Sequence, residues 1–317
     1  QIRFKDSKLK DFLPNSRTIA LEKIEDYISS EENQTLVVYG KSGLGKSSLM
    51  AKAIQNAEDR YNNSKKIIYR FVASTANLSD TPTLLISILK DLNIHEEIRT
   101  ISNPQTKQEK PEKIEEFYYR CYSHLSLLKT ETIIFIDAID QINNEDEFLW
   151  LPQTLPDNLK IIISALEDEK YPEDSIYFET LKTKTENLYP LELFESPKEL
   201  ITSLLSLYNR TITEKQMKYL LLKEDSNSPL YLSIATQELR HWKSSDDSQN
   251  LASTQKDIIK EFTQNLTTLF HHDEEFVKRV FTYLYLSQGL SESELLEIIS
   301  IDEEFISKIA PETYHNN

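Results

Sequence analysis

The feature that most limits what this chain can fold into is where it places its glycines. Only four occur in 317 residues, where average usage of about 7% would supply roughly twenty. Three of the four, Gly40, Gly43 and Gly45, fall within six residues. They frame Gly40-Lys41-Ser42-Gly43-Leu44-Gly45-Lys46-Ser47, a complete match to G-x-x-x-x-G-K-[ST]. Before the loop, Thr35 to Tyr39 is an apolar, β-branched run of buried-strand length; after it, Ser48 to Ile54 is strong helix-former sequence. Strand, glycine loop and helix together aim backbone amides and a positive helix end at one point, where a polyphosphate can sit. The cradle predicted here comprises Gly40, Lys41, Ser42, Gly43, Leu44, Gly45, Lys46, Ser47 and Ser48. Lys46 would reach the β- and γ-phosphates of ATP, and the Ser47 hydroxyl would ligate Mg²⁺.

A site of this kind needs a second strand that ends in acid. Thr132-Ile133-Ile134-Phe135-Ile136-Asp137 supplies one, followed by Ala138-Ile139-Asp140-Gln141. A buried strand stopping at a carboxylate puts Asp137 at the carboxyl edge of a sheet, where it can hold the magnesium through water. Asp140, three residues on, could orient or deprotonate an attacking water. The predicted catalytic set is therefore Lys46, Asp137 and Asp140, with Ser47 and Asp137 as the metal pair.

Further apolar runs at 66–72, 159–164 and 187–191 read as strands, and 82–92, 112–128 and 177–183 read as helices. Strands alternating with helices, and apolar throughout rather than at every second residue, imply α/β architecture: a parallel sheet with helices on both faces. One β–α unit separates the loop strand from the Asp137 strand in sequence. That suits the ATPase branch in which another strand lies between the two motif strands in space. There the intervening strand ends in a polar sensor residue, a position Ser164 occupies, although ordinary strand capping also accounts for a serine. Residues 101–113 are polar and proline-bearing and read as a surface loop. Beyond Leu191 the strand signals stop. Helices are expected from Ser196-Pro197 to about Tyr208, from Thr213 to about Lys223, and from Pro229 to about Trp242. The polar stretch 244–256 reads as a linker, and helical sequence resumes at Asp257. Ser287-Gln288-Gly289 breaks it, and Ser291 with Glu294 makes a capping box for the next helix.

Composition excludes several classes. Hydrophobic residues make up 39% of the chain, enough for a real core and too many for general disorder. No apolar run approaches the ~20 residues of a membrane helix, and no signal-peptide pattern opens the chain. A single cysteine, Cys121, excludes an internal disulfide and fits a cytoplasmic setting. Net charge is −16, and residues 271–317 hold ten acidic against three basic side chains. Direct nucleic-acid binding is therefore not expected, even though helix–glycine–helix there suggests a winged helix. His271-His272-Asp273 reads as an exposed polar helix start.

The chain resembles STAND ATPases, the signal-transduction switches that include NACHT and NB-ARC proteins, and within them the telomerase-associated protein and nephrocystin branch. The stretches that carry the resemblance are VVYGKSGLGKSSLMA (37–51), IIFIDAIDQI (133–142), WLPQTLPDNLKIIISAL (150–166), SNSPLYLSIATQELR (226–240) and SQGLSESELLEII (287–299). The resemblance implies a nucleotide-binding domain over 1–192 and a helical domain over 193–243. After the linker at 244–256 it implies a partial winged-helix-like domain over 257–317. It implies ATP or ADP with Mg²⁺ as ligands, and Pro229 in Ser228-Pro229-Leu230 as the proline that packs near adenine. The segment Phe12 to Arg17 would lie where such families line adenine and ribose. The chain departs from NACHT and NB-ARC members in lacking an arginine after the sensor strand, where Ala165-Leu166-Glu167 follows Ser164.

What these families do sets the functional expectation. It is a slowly hydrolysing switch that couples ligand sensing to self-association and effector activation. Sensor and effector domains would lie elsewhere in a longer chain, in innate immune or antiviral defence. Two alternatives stand beside it: a continuously turning AAA+ remodeller, and a scaffold that keeps its nucleotide unhydrolysed.

Overall fold

The computed structural model describes residues 1–10, 12–13, 17–61, 64–72, 80–94, 114–142, 148–167, 175–194, 196–245, 251–269, 271–286, 290, 292–303 and 305–306. Described residues up to Leu193 form one compact unit, and those from Phe194 onward form a second.

The first unit is built on five strands: β1 (Leu36–Gly40), β2 (Lys66–Phe71), β3 (Thr132–Asp137), β4 (Leu159–Leu166) and β5 (Leu188–Pro190). All pairings between them are parallel, in the order β2-β3-β4-β1-β5. The sheet thus inserts β4 between β1 and β3, as the spacing of the two motif strands predicted. Its register sets Val38 of β1 beside Ser164 of β4, and Ile136 of β3 beside Ile163 of β4. The carboxyl ends of the three strands therefore lie side by side.

Side-chain alternation explains why these strands are apolar throughout. In β3, Ile133 and Phe135 enter one core and Ile134 and Ile136 the other; in β1, Leu36 and Val38 face the first core and Val37 the second. Both faces of the sheet are covered, so neither set of alternate residues can be polar. The first core is closed by α2 (Thr18–Ser29) and α3 (Lys46–Tyr61), after the N-terminal α1 (Ile2–Lys10). The α3 helix buries Leu49, Met50, Ala53, Ile54 and Ala57 along one stripe. Each large side chain among them contributes roughly 1.5–3 kcal/mol through burial, which anchors the helix that carries Lys46 and Ser47. The opposite core is closed by α4 (Thr81–Asp91), α5 (Ile114–Ser126) and α6 (Ile176–Lys182). Asp80 caps α4, its carboxylate accepting the Thr83 amide at 2.8 Å.

The second unit is helical: α7 (Pro197–Ser206), α8 (Glu214–Leu221), α9 (Pro229–Leu239), α10 (Gln255–Thr268), α11 (Glu274–Leu286) and α12 (Glu292–Ile301). Thr213 and Gln216 make a reciprocal capping box at the start of α8. The stretch expected to act as a linker, 244–256, is packed where it is described. Leu251 is buried, the Tyr231 hydroxyl donates to the Ala252 carbonyl at 2.6 Å, and α10 already begins at Gln255. A polar composition concealed this because these bonds use backbone atoms, which composition does not report. The break at 287–289, Ser291 and the loop at 101–113 lie outside the described residues. Among the described residues no helix is long and apolar enough to cross a membrane.

Candidate nucleotide-binding site

The chain leaves β1 through Gly40 and enters α3 at Lys46. Three glycines hold backbone angles that other residues adopt with difficulty: φ is 153° at Gly40, 83° at Gly43 and 87° at Gly45. At Gly40 space is short as well, since a Cβ there would stand 3.1 Å from the Leu191 carbonyl oxygen and 3.2 Å from Leu44 Cδ1. This accounts for a glycine-poor chain keeping its glycines here. Leu44 is buried in the first core and pins the loop from below, while Lys41 and Ser42 are exposed. The Lys46 ammonium donates to the carbonyls of Gly40, at 2.6 Å, and Lys41, at 2.9 Å, which holds it folded over the loop.

Asp137 ends β3 almost fully buried, 2% exposed. Burial is the main influence on its carboxyl and pushes its pKa above the usual carboxylate range. Hydrogen bonds from Ser164 and Ser47 and the charge of Lys46 pull the other way, and Asp140 adds to the rise. Ser47, next to Lys46 at the start of α3, thus comes within hydrogen-bond reach of Asp137, and the charge of Lys46 is felt there. Ser164 Oγ donates to Asp137 Oδ1 at 2.6 Å and accepts the Ala138 amide at 2.8 Å. Ser164 is itself fully buried, so its hydroxyl is committed to this junction. That assigns it more than the capping of its own strand.

Ala138 takes a left-handed conformation, φ 57°, which costs an alanine roughly 1–2 kcal/mol. The turn it makes leads into a single 3₁₀ turn, Ile139–Gln141. This returns the chain to β4, so that Asp140 Oδ1 accepts the Leu166 amide at 2.9 Å while Oδ2 accepts from Gln141 at 3.0 Å. Asp140 therefore stands beside Asp137 and also fastens the end of β4.

The donor set fits a hard divalent cation: a buried carboxylate whose burial its neighbours do not fully offset, next to a hydroxyl, with no sulfur or imidazole among them. The glycine angles and the folded-over lysine fit a phosphate chain equally well.

Other predicted positions fall elsewhere. Pro229 is the first residue of α9 in the second unit, after Ser228, whose hydroxyl accepts the Tyr231 amide. Asp273 caps the start of α11 through the Phe276 amide at 2.9 Å, and His271 and His272 are exposed, as expected of a polar helix start. Of the segment 12–17, Phe12, Leu13 and Arg17 are described. Arg17 contacts the loop, its Nη2 donating to the Leu44 carbonyl at 2.9 Å. Sequence reasoning did not place Arg17 on the loop, because the partner is a backbone carbonyl 27 residues away and leaves no mark in composition.

Comparison with known proteins finds relatives in sequence. Residues 18–166 match the family model for the nephrocystin 3 N-terminal region. The chain is 26% identical over 301 residues to human "NACHT and WD repeat domain-containing protein 2", an alignment covering 89% of this chain and 16% of that protein. It is 23% identical over 286 residues to mouse "Telomerase protein component 1", covering 83% of this chain and 10% of that one. The chain thus spans less than a fifth of the length of these relatives. Among solved structures, the Aeropyrum pernix ORC2 protein (ADPNP-ADP complexes) superposes with a TM-score of 0.45 at 13% identity, covering 91% of this chain and 87% of that one. The Aeropyrum pernix ORC1 protein in complex with DNA gives 0.46 at 14%, covering 94% and 84%. With its glycine loop and its strand order the chain has the P-loop NTPase fold, and in sequence it is similar to NACHT-domain proteins and to the nephrocystin 3 N-terminal family.

Proposed function

We propose that this chain is the nucleotide-dependent switch of a longer signalling protein, binding ATP with Mg²⁺ and hydrolysing it slowly. The observation that carries the reading is the meeting of Lys46, Ser47 and Asp137 beneath a loop whose glycine angles suit a phosphate chain. Loop amides from Gly40 to Ser48 would line the phosphates, with Lys46 turning from the Gly40 and Lys41 carbonyls to the β- and γ-oxygens. Ser47 and Asp137 would hold the magnesium, which when bound neutralises charge on the phosphates. Asp140 would orient the attacking water, and Ser164 would keep Asp137 aimed.

Turnover is proposed to be slow because no arginine follows β4, so charge developing on the transferred phosphoryl lacks that partner. ATP and ADP would favour different arrangements of the helical second unit, including Pro229 near the base and the winged-helix-like segment 257–317. Sensor and effector domains beyond this chain would read that difference through self-association in the cytoplasm, a logic that suits innate immune or antiviral defence. A net charge of −16 argues against a nucleic-acid partner for this segment.

The test is nucleotide binding and single-turnover hydrolysis by wild type and Lys46→Ala. Wild type should bind ATP, turn it over on a scale of minutes and retain ADP, and Lys46→Ala should lose binding. Undiminished ATP affinity in a folded Lys46→Ala protein overturns the site. Sustained turnover of many per second without a trigger would instead favour a continuously working remodeller, and ATP persisting unhydrolysed would favour a scaffold.

A further inference from the structure

Arg17 is an unusual residue for its position. It precedes α2 as the N-cap, where Ser, Thr, Asp or Asn would accept a helix amide. Its side chain makes no such bond, and its backbone is left-handed, φ 59° and ψ 26°. An arginine held there at a cost of roughly 1–3 kcal/mol serves something other than the helix. Its two terminal nitrogens show what: Nη2 donates to the Leu44 carbonyl at 2.9 Å and Nη1 to the Glu192 carbonyl at 2.6 Å. Leu44 is in the glycine loop; Glu192 follows β5, one residue before the first unit ends at Leu193. A planar guanidinium holding two carbonyls at once fixes their separation, which a lysine ammonium on a flexible stem does not.

A second, independent contact ties the same two segments. Gly40 packs against the Leu191 carbonyl closely enough that a Cβ would stand 3.1 Å away, and the Leu191 amide donates to Tyr39 at 2.7 Å. Leu44 and Leu191 are both buried in the core that α2 and α3 close. The loop and the exit from the sheet are therefore joined on two sides, by packing at Gly40 and by the Arg17 fork at Leu44.

We infer that Arg17 is a positioning residue that sets the Leu44 peptide of the phosphate loop and couples its conformation to the 191–194 segment leading into the second unit. It acts through backbone carbonyls on both sides. This rests on the nucleotide-binding reading above and adds a coupling between the loop and the segment that follows β5.

The experiment is hydrogen exchange at the amides of 40–48 and 191–194, with and without saturating Mg²⁺-ADP, in wild type, Arg17→Ala and Arg17→Lys, alongside ADP affinity. Wild type should gain protection at both segments. Arg17→Ala should bind ADP roughly tenfold more weakly and, once saturated, gain protection at 40–48 alone. Arg17→Lys should fall with Arg17→Ala in coupling, because a single nitrogen on a flexible stem does not fix the spacing of the two carbonyls as the planar fork does. Equal protection of both segments in Arg17→Ala and wild type overturns the coupling while leaving the nucleotide site intact. A folded wild type that shows no ADP binding overturns both readings. If Arg17→Ala fails to fold, Arg17→Lys decides alone, and wild-type coupling in it overturns the inference.

Discussion

The Ser164 hydroxyl donates to the Asp137 carboxylate across 2.6 Å, joining the ends of two adjacent parallel strands, β4 and β3, at the point where Ser47 and Lys46 arrive. One oxygen thus orients the proposed magnesium ligand and also receives the Ala138 amide that follows it.

Ser164→Ala removes both bonds and leaves a buried carboxylate less well held, a loss of about 1–3 kcal/mol. Turnover should fall at least tenfold with ATP affinity nearly unchanged, because the residue acts on the orientation of Asp137 rather than on the phosphate. Thermal melting together with single-turnover hydrolysis checks this. Ser164→Thr, which keeps the hydroxyl, should recover part of the rate.

Asp137→Asn should separate stability from function. Burial raises the Asp137 pKa, so the stability its protonated form contributes is present at low pH and is lost as pH rises through the folded-state value. Ionising this carboxyl therefore costs the fold stability, and that cost grows as pH rises. Replacing it with asparagine should leave the nucleotide-free protein as stable as wild type, or raise its melting temperature by about 2–4 °C, while removing magnesium-dependent hydrolysis. The advantage of the variant should shrink when melting is repeated near pH 4. A variant that melts lower than wild type at pH 7 would contradict the burial argument.

Asp140 has two jobs that mutation can part. Asp140→Asn keeps a carbonyl oxygen for the Leu166 amide, and Asp140→Ala does not. The asparagine variant should melt close to wild type yet turn over roughly 100-fold more slowly, within the range for losing a general base. Wild-type turnover by Asp140→Asn would reduce the residue to a strand fastener.

Gly40→Ala tests the crowding at the start of the loop. The new methyl meets the Leu191 carbonyl at 3.1 Å and the backbone angle of 153° disfavours it. A loss of about 1–3 kcal/mol in stability, with weakened nucleotide binding, is expected in denaturation and titration experiments. Wild-type values for both would show that the loop relaxes freely at this point.

Much of the first unit was legible in the chain because its signals are local. The strands at 36–40, 66–71, 132–137 and 159–166 announced themselves as unbroken apolar runs, since a sheet covered on both faces leaves no polar side. Three glycines in a chain that avoids glycine marked the loop, since the backbone there takes angles that a side chain obstructs. Asp137 was readable as a carboxylate closing such a run.

What could not be read were the contacts made through backbone atoms of distant segments. The Arg17 fork, the Asp140 bond to Leu166 and the packing of 251–255 in the second unit all use carbonyls or amides, which every residue type carries alike. The packing of the expected linker stretch was not legible for that reason, and Arg17 went unplaced on the loop for the same one. By itself the amino-acid order determined which segments become strands and which loop must bend around phosphate, because burial and backbone strain act on side chains in place. Only tertiary structure decided that Ser164 would aim Asp137 and that Arg17 would grip both Leu44 and Glu192. A hydrogen bond depends on two groups coming within about 3 Å, and that distance exists only once the sheet has brought them side by side.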